Sequence, residues 1–181
     1  PAWNDKVLIK RALDIGAQTL LVPFVQTPDE AASAVAATRY PPHGVRGVAG
    51  GTRASRYGLA KDYFEAANTE VAVLVQVETV EALSQLEQIA SVPGVDGVFI
   101  GPSDLAASFG HLGNPSAPEV QAALKDAVER LKAINVPAGI LATNSTDAKR
   151  YRSWGYAFVS GAVDMGILVQ GAAKVLKEMR E

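Results

Sequence analysis

Apolar residues recur along this chain in short unbroken runs, and polar–apolar stretches of helical period separate them. The fullest run covers residues 71–79, Val-Ala-Val-Leu-Val-Gln-Val-Glu-Thr, and gives way at once to a helical pattern over 80–91. A strand buried on both faces reads as such a continuous run. Similar runs predict strands at 19–23, 97–100, 138–141 and 157–160. Helical spacing predicts a helix from Asn4 or Asp5 to about residue 15, stopped by Gly16, and others over 60–68, 118–133, 146–154 and 163–180. Thr27-Pro28-Asp29-Glu30 opens one more, alanine-rich helix: a capping threonine, proline in the first turn, then two acids.

Strand and helix therefore alternate after a leading helix, with no hairpin signal, which means a parallel sheet with right-handed crossovers. No Gly-x-Gly-x-x-Gly turn follows the first strand, so an open dinucleotide-binding sheet is not favoured. The expected fold class is α/β, a (β/α)8 TIM barrel represented here by its C-terminal five βα units. A whole barrel takes roughly 250 residues. The 181 residues here form a single domain, 1–181, that lacks the first two βα units and the third strand. A start at Pro1 without an initiator methionine fits an N-terminal portion outside this sequence.

Composition narrows the function classes. Net charge is −2 with both signs interspersed, so no basic footprint points to nucleic acid. There is no cysteine, which excludes disulfides, thiol nucleophiles and thiolate-bound metals. The apolar runs fall far short of the ~18 residues of a membrane helix, and no signal peptide opens the chain. A cytoplasmic protein without membrane contact is expected.

Candidate chemistry gathers at the strand ends. Gln76 and Glu78, two residues apart, share one face of the strand end, and Asp104 follows the strand over 97–100. Two carboxylates at neighbouring strand ends suit a hard divalent cation. They would equally serve as caps of the helices that follow. Gln76 can hydrogen-bond a carbonyl or carboxylate, or merely support its neighbours. Gly101-Pro102-Ser103-Asp104 presents backbone amides ahead of a short helix, either an anion cradle or an ordinary turn.

No lysine lies in an apolar strand, where a Schiff-base amine would be desolvated, so carbonyl chemistry would need a metal as electron sink. His43 and His111 fall in loops and read as surface or hinge residues. The glycine-rich stretch 45–58 carries Arg46, Arg53 and Arg56 and is long enough to suggest a function. Its arginines could meet a substrate carboxylate or pair across a subunit contact. Asp14, near the end of the first helix, opposes the helix dipole and calls for a partner that the segment does not identify.

Three stretches carry a family resemblance: Val75-Gln76-Val77-Glu78-Thr79, residues 94–105 with their Gly-Pro-Ser-Asp turn, and Arg39-Tyr40-Pro41-Pro42-His43-Gly44-Val45-Arg46-Gly47. Together with Gly139-Ile140-Leu141-Ala142 and residues 110–115, they resemble the HpcH/HpaI aldolases along the whole chain. The resemblance implies a metal-dependent class II pyruvate aldolase, similar to 4-hydroxy-2-oxoheptanedioate and 2-dehydro-3-deoxyglucarate aldolases. Such an enzyme reversibly cleaves 4-hydroxy-2-oxo acids to pyruvate, or a related 2-oxo acid, and an aldehyde through a metal-stabilised enolate, and serves aromatic compound catabolism.

By the same resemblance, Glu78 and Asp104 hold Mg²⁺, Mn²⁺ or Co²⁺. Gln76, Gly101, Pro102, Ser103, Asp104 and Leu141 bind the oxo acid, and Asp14 raises the basicity of a catalytic histidine. That histidine and a transition-state arginine belong to strands preceding Pro1, which implies a companion N-terminal segment. The final helix, 163–180, is expected to pack on a neighbouring subunit of a trimer-based hexamer. Two alternatives stand beside this: a citrate-lyase-beta-like or malyl-thioester-cleaving barrel, or a non-catalytic fragment or subunit without the base histidine.

Overall fold

In the computed structural model, which describes residues 1–180, the five apolar runs pair into one sheet. Its strands are β1 (Thr19–Val22), β2 (Ala72–Val77), β3 (Gly97–Ile100), β4 (Ala138–Leu141) and β5 (Phe158–Ser160). Every pairing is parallel, and spatial order follows chain order from β1 to β5. Each crossover thus moves on to the next position, as in a barrel wall, without the reversal of a doubly wound sheet. The sheet curls into a half-barrel. Glu181, the last residue of the expected 1–181 domain, lies outside the described residues.

Alternation along each strand separates two faces. Val73, Val75 and Val77 of β2 are buried beneath the helices, as are Val98 and Ile100 of β3 and Ala138 and Ile140 of β4. Burying each of these valines and isoleucines contributes roughly 1.5–3 kcal/mol. Leu21, Leu74 and Gln76 point to the concave side and stay partly exposed. Across that side Gln76, Phe99, Gly139 and Phe158 are register partners. A Cβ at Gly139 would meet the Phe99 ring at 2.7 Å, so glycine there lets Phe99 and Phe158 approach to 6.0 Å between centroids. Phe158 remains 53% exposed, leaving the concave face apolar and uncovered among the described residues.

The helices begin where their caps lie. Asp5 accepts from the N–H groups of Val7 and Leu8 to start α1 (Lys6–Asp14), and Thr27 accepts from Glu30 N to start α2 (Pro28–Thr38). The expected helix over 60–68 instead forms α3 (Tyr63–Glu70), because residues before it stay in a turn tied back to Ser55. The expected helix over 80–91 is broken into α4 (Val80–Ser84) and α5 (Leu86–Ala90). At the break Gln85 leaves helical geometry with φ −109° and ψ 17°, and its side chain reaches the Gln26 carbonyl at 3.4 Å. Then follow α6 (Pro102–Ser108), α7 (Pro118–Ala133), α8 (Ser145–Trp154) and α9 (Asp164–Glu178).

No residue of α9 is buried; Ile167, Leu168 and Val175 are each more than half exposed. No helix among the described residues is long and apolar enough to cross a membrane.

Helices α5 and α7 are joined by a two-pronged ion pair. Arg130 Nε and Nη2 donate to Glu87 Oε1 and Oε2, each at 2.6 Å. These bonds from Arg130 hold the Glu87 carboxyl below its usual range. A depressed carboxyl contributes stability above its unfolded pKa, near 4.3, and loses it as pH falls through the folded value. Because Glu87 is 42% exposed, screening limits the pair to less than about 1 kcal/mol. Glu87→Gln is therefore expected to lower the urea midpoint slightly at pH 7. The difference from the parent should fade below about pH 4, and a gap that persists there would contradict the assignment.

Candidate active site

The C-terminal ends of β1, β2 and β3 bring the predicted acids together. Glu78 leaves β2 toward β3 and is only 3% exposed. Its Oε2 accepts from Gln76 Nε2 at 2.6 Å, and its Oε1 accepts from the backbone N–H of Phe24 at 3.0 Å. Asp104, in the first turn of α6, is near enough to act on Glu78 as a like charge and through a shared hydrogen bond. Burial foremost, and then Asp104, push the Glu78 carboxyl above its usual range, while the Gln76 and Phe24 donors pull it back.

No lysine, arginine or histidine among the described residues forms an ion pair with either acid. A buried carboxylate facing another carboxylate is costly unless something positive lies between them. Two carboxylates are also the protein ligand count at which Mg²⁺ or Mn²⁺ keeps the rest of its octahedron for substrate oxygens and water. No group of three or more metal-ligating side chains occurs among the described residues, so the donor set suits an oxygen-preferring ion and not a structural zinc.

Gly101 holds this corner by what it lacks. Its φ of −89° is open to any residue, but a Cβ there would meet the Glu78 carboxylate, Glu78 Cβ at 2.8 Å and Gln76 Nε2 at 3.1 Å. Pro102 then starts α6, whose first bond runs from Leu105 N to the Gly101 carbonyl at 3.0 Å. The N–H groups of Ser103 and Asp104 are consequently first-turn donors with no backbone acceptor of their own. Leu141, at the end of β4, borders a cavity of about 30 Å³ together with Pro102 and Ser103.

Asp14 lies elsewhere. It ends α1 just before β1, at the N-terminal rim of the sheet, so the length of β2 separates it from Glu78, roughly 20 Å for six residues. Its partners are within the chain: Lys10 on the same helix, and Arg46, whose Nη2 donates to Asp14 Oδ1 at 3.0 Å. The partner that Asp14 calls for is therefore supplied within the chain. Arg46 of the glycine-rich stretch is thus engaged within the chain, by Asp14 and two tyrosines. The Arg46 side chain is fully buried, stacked 4.4 Å over Tyr40, and bonded to Tyr63 Oη at 2.9 Å. Burial, opposed by Arg46, pushes the Tyr40 hydroxyl up to about 12.

His111 contacts Glu119 at 3.2 Å, on the α7 side of the turn that follows α6. Sequence reasoning missed Phe24. It adopts φ 55°, unusual for a residue with a side chain, and this turn aims its N–H at Glu78. A backbone donor leaves no residue-type signal; only Pro23, before it, marks a break in the strand.

Residues 1–171 match the sequence model of the HpcH/HpaI aldolase/citrate lyase family. The chain is 59% identical over 172 residues to a pyruvate aldolase of Rhizobium etli, covering 95% of this chain and 68% of that protein. It is 55% identical over 173 residues to a 4-hydroxy-2-oxo-heptane-1,7-dioate aldolase of Klebsiella pneumoniae, covering 95% of this chain and 65% of that protein. The structure superposes with a TM-score of 0.94 on a crystal structure of a protein of the same family from Burkholderia cenocepacia. That match has 43% identity and covers 99% of this chain and 71% of that one. The chain thus spans about two thirds of the length of the curated relatives it matches.

Proposed function

This chain belongs to the HpcH/HpaI aldolase/citrate lyase family, and on that premise we propose that it carries the metal-binding part of a class II pyruvate aldolase. The reaction is the reversible cleavage of a 4-hydroxy-2-oxo acid to pyruvate and an aldehyde, a carbon–carbon lyase step. The observation that carries the proposal is the buried Glu78, held by Gln76 and Phe24 and facing Asp104 with no cationic side chain between them. The relatives named above are aldolases, which favours cleavage of a free oxo acid over a thioester.

Glu78 and Asp104 would hold Mg²⁺, Mn²⁺ or Co²⁺. A divalent cation there supplies Lewis-acid polarisation of the 2-oxo group and stabilises the charge that develops as the bond breaks. The chain's own groups do the positioning. Gln76 fixes Glu78 Oε2 and presents the rest of its amide to the oxo acid. The N–H groups of Ser103 and Asp104 face the substrate carboxylate, and Leu141 closes the wall beside them.

The half-barrel would be completed by chain outside these residues, and that portion would bring the base histidine and the arginine. The uncovered concave face and the length shared with relatives support this. Asp14 would tune such a histidine. Because it lies on the rim opposite Glu78, it would do so across a contact between copies. A homo-oligomer, a trimer-based hexamer in this account, would also cover the apolar face of α9.

The test is pyruvate release from a panel of 4-hydroxy-2-oxo acids by the intact protein, with Mn²⁺ and with excess chelator. Release should fall at least ~100-fold under chelator. Undiminished release without metal would reject the proposal.

A further inference from the structure

The ladder between β1 and β2 is interrupted beside Glu78. Val22 is the register partner of Val75, whereas the N–H of Val25, three residues on, bonds the carbonyl of Gln76, only one residue on, at 3.0 Å. Pro23 and Phe24 are therefore looped out of the pairing. Proline has no N–H to give a ladder, and a bulge at such a point re-aims the residue that follows. Phe24 takes φ 55°, and its N–H turns to Glu78 Oε1 at 3.0 Å. A left-handed backbone on a bulky residue persists only where its surroundings enforce it, and such positions cluster at functional sites.

The enforcement comes through Gln26. The Phe24 ring stacks on Trp3 with centroids 5.5 Å apart, but the main chain beyond it is held at three atoms of Gln26. Gln26 N donates to Glu30 Oε2 at 2.7 Å, and the Gln26 carbonyl accepts from Gln85 Nε2 at 3.4 Å. Those two bonds reach α2 and the break between α4 and α5. The third runs from Thr79 Oγ1 to Gln26 Oε1 at 2.7 Å, and Thr79 is the residue after Glu78. Thr79 Oγ1 also accepts from Ala82 N at 3.1 Å as the cap of α4. A hydroxyl has one proton, so with the helix on its acceptor side that proton goes to Gln26. Two rungs thus join the bulge to the strand end: Phe24 to Glu78, and Gln26 to Thr79.

We propose that Thr79 and Gln26 are positioning residues of the cation site, acting through their mutual bond to keep the Phe24 amide on Glu78. The inference rests on the reading of Glu78 and Asp104 as the metal ligands, and goes beyond it by naming what presets the first of them. A glutamate whose Oε1 is fixed by a main-chain N–H and whose Oε2 is fixed by Gln76 keeps acceptor capacity on both oxygens in one orientation.

The test titrates the intact protein with Mn²⁺ and reads the free ion by electron paramagnetic resonance. Thr79→Val keeps the shape of the side chain and loses both hydroxyl bonds. Gln26→Met removes only the acceptor of the link and leaves the α4 cap in place. Each should weaken Mn²⁺ binding about 10-fold, the lower end of the range for groups that support a metal ligand. Thr79→Ser keeps both bonds and should restore the parental affinity. Because the two residues act through one bond, Thr79→Val/Gln26→Met should bind no more weakly than the weaker single variant. Parental affinity in a folded Gln26→Met variant would overturn the proposal, since loss of the cap would then account for Thr79→Val. A Thr79→Ser variant as weak as Thr79→Val, or losses that multiply in the double variant, would overturn it as well. A parent that binds no Mn²⁺ removes the metal reading and this inference with it, whereas a parent that binds, with both folded single variants at parental affinity, removes the inference alone.

Discussion

Gly101→Ala is expected to abolish divalent-cation binding while leaving the chain folded. Alanine suits the backbone there, since φ is −89°, so conformational strain does not enter. The obstruction is steric and local, because a methyl group would occupy the place of the Glu78 side chain. A free glutamate would swing aside at little cost, but this one is pinned at both oxygens, by Gln76 at 2.6 Å and by Phe24 at 3.0 Å. Relieving the clash means breaking at least one of those bonds and moving the carboxylate away from Asp104. Loss of supporting contacts around a metal ligand typically costs about 10–100-fold in affinity, and displacement of the ligand itself should reach or exceed the upper figure. Overpacking of one methyl adds roughly 1–3 kcal/mol of destabilisation, which a chemical melt measures separately. Parental Mn²⁺ affinity in a folded Gly101→Ala variant would mean that Glu78 is not the ligand.

Asp14→Asn should be among the most destabilising single substitutions in the chain. Arg46 is fully buried, so removing the Asp14 charge leaves a guanidinium whose neighbours are all uncharged: the substituted amide oxygen, Tyr63 Oη and the Tyr40 and Tyr63 rings. Its Nε and Nη1 already lack partners among the described residues. Breaking one side of such a pair costs on the order of 3–5 kcal/mol. Arg46→Met should cost less, since Asp14 keeps Lys10 and partial solvent access. The double variant Asp14→Asn/Arg46→Met should be more stable than Asp14→Asn alone, a coupling that urea denaturation of the four proteins measures. Additive losses would show that the two groups do not depend on one another. The cycle also separates stability from chemistry at Asp14, because it is read without any substrate.

The sheet was legible because a parallel strand covered by helices reads as a continuous apolar run, as residues 71–75 and 97–100 do. The carboxylate pair was legible for a related reason: Glu78 and Asp104 are the first acids after two such runs, and neighbouring parallel strands bring their ends together. Single-residue geometry was hidden. The break at Gln85 lies inside an unbroken helical pattern and depends on a contact with the distant Gln26 carbonyl. The Asp14–Arg46 pair joins residues 32 apart through a glycine-rich loop whose path no local pattern specifies. Phe24 contributes through its main chain, so its side-chain type gave no sign of it. Gly101 drew notice as part of a turn, yet its role is to leave room for the Glu78 side chain at the end of the neighbouring strand β2.

The claim beneath all of this is that Glu78 and Asp104 together hold one divalent cation. Titration of the protein with Mn²⁺, followed by the loss of the free-ion electron paramagnetic resonance signal, addresses it without requiring turnover. One site per chain is expected, with affinity reduced at least ~100-fold in Glu78→Gln and in Asp104→Asn. Parental Mn²⁺ binding in both variants, or none in the parent, would contradict it.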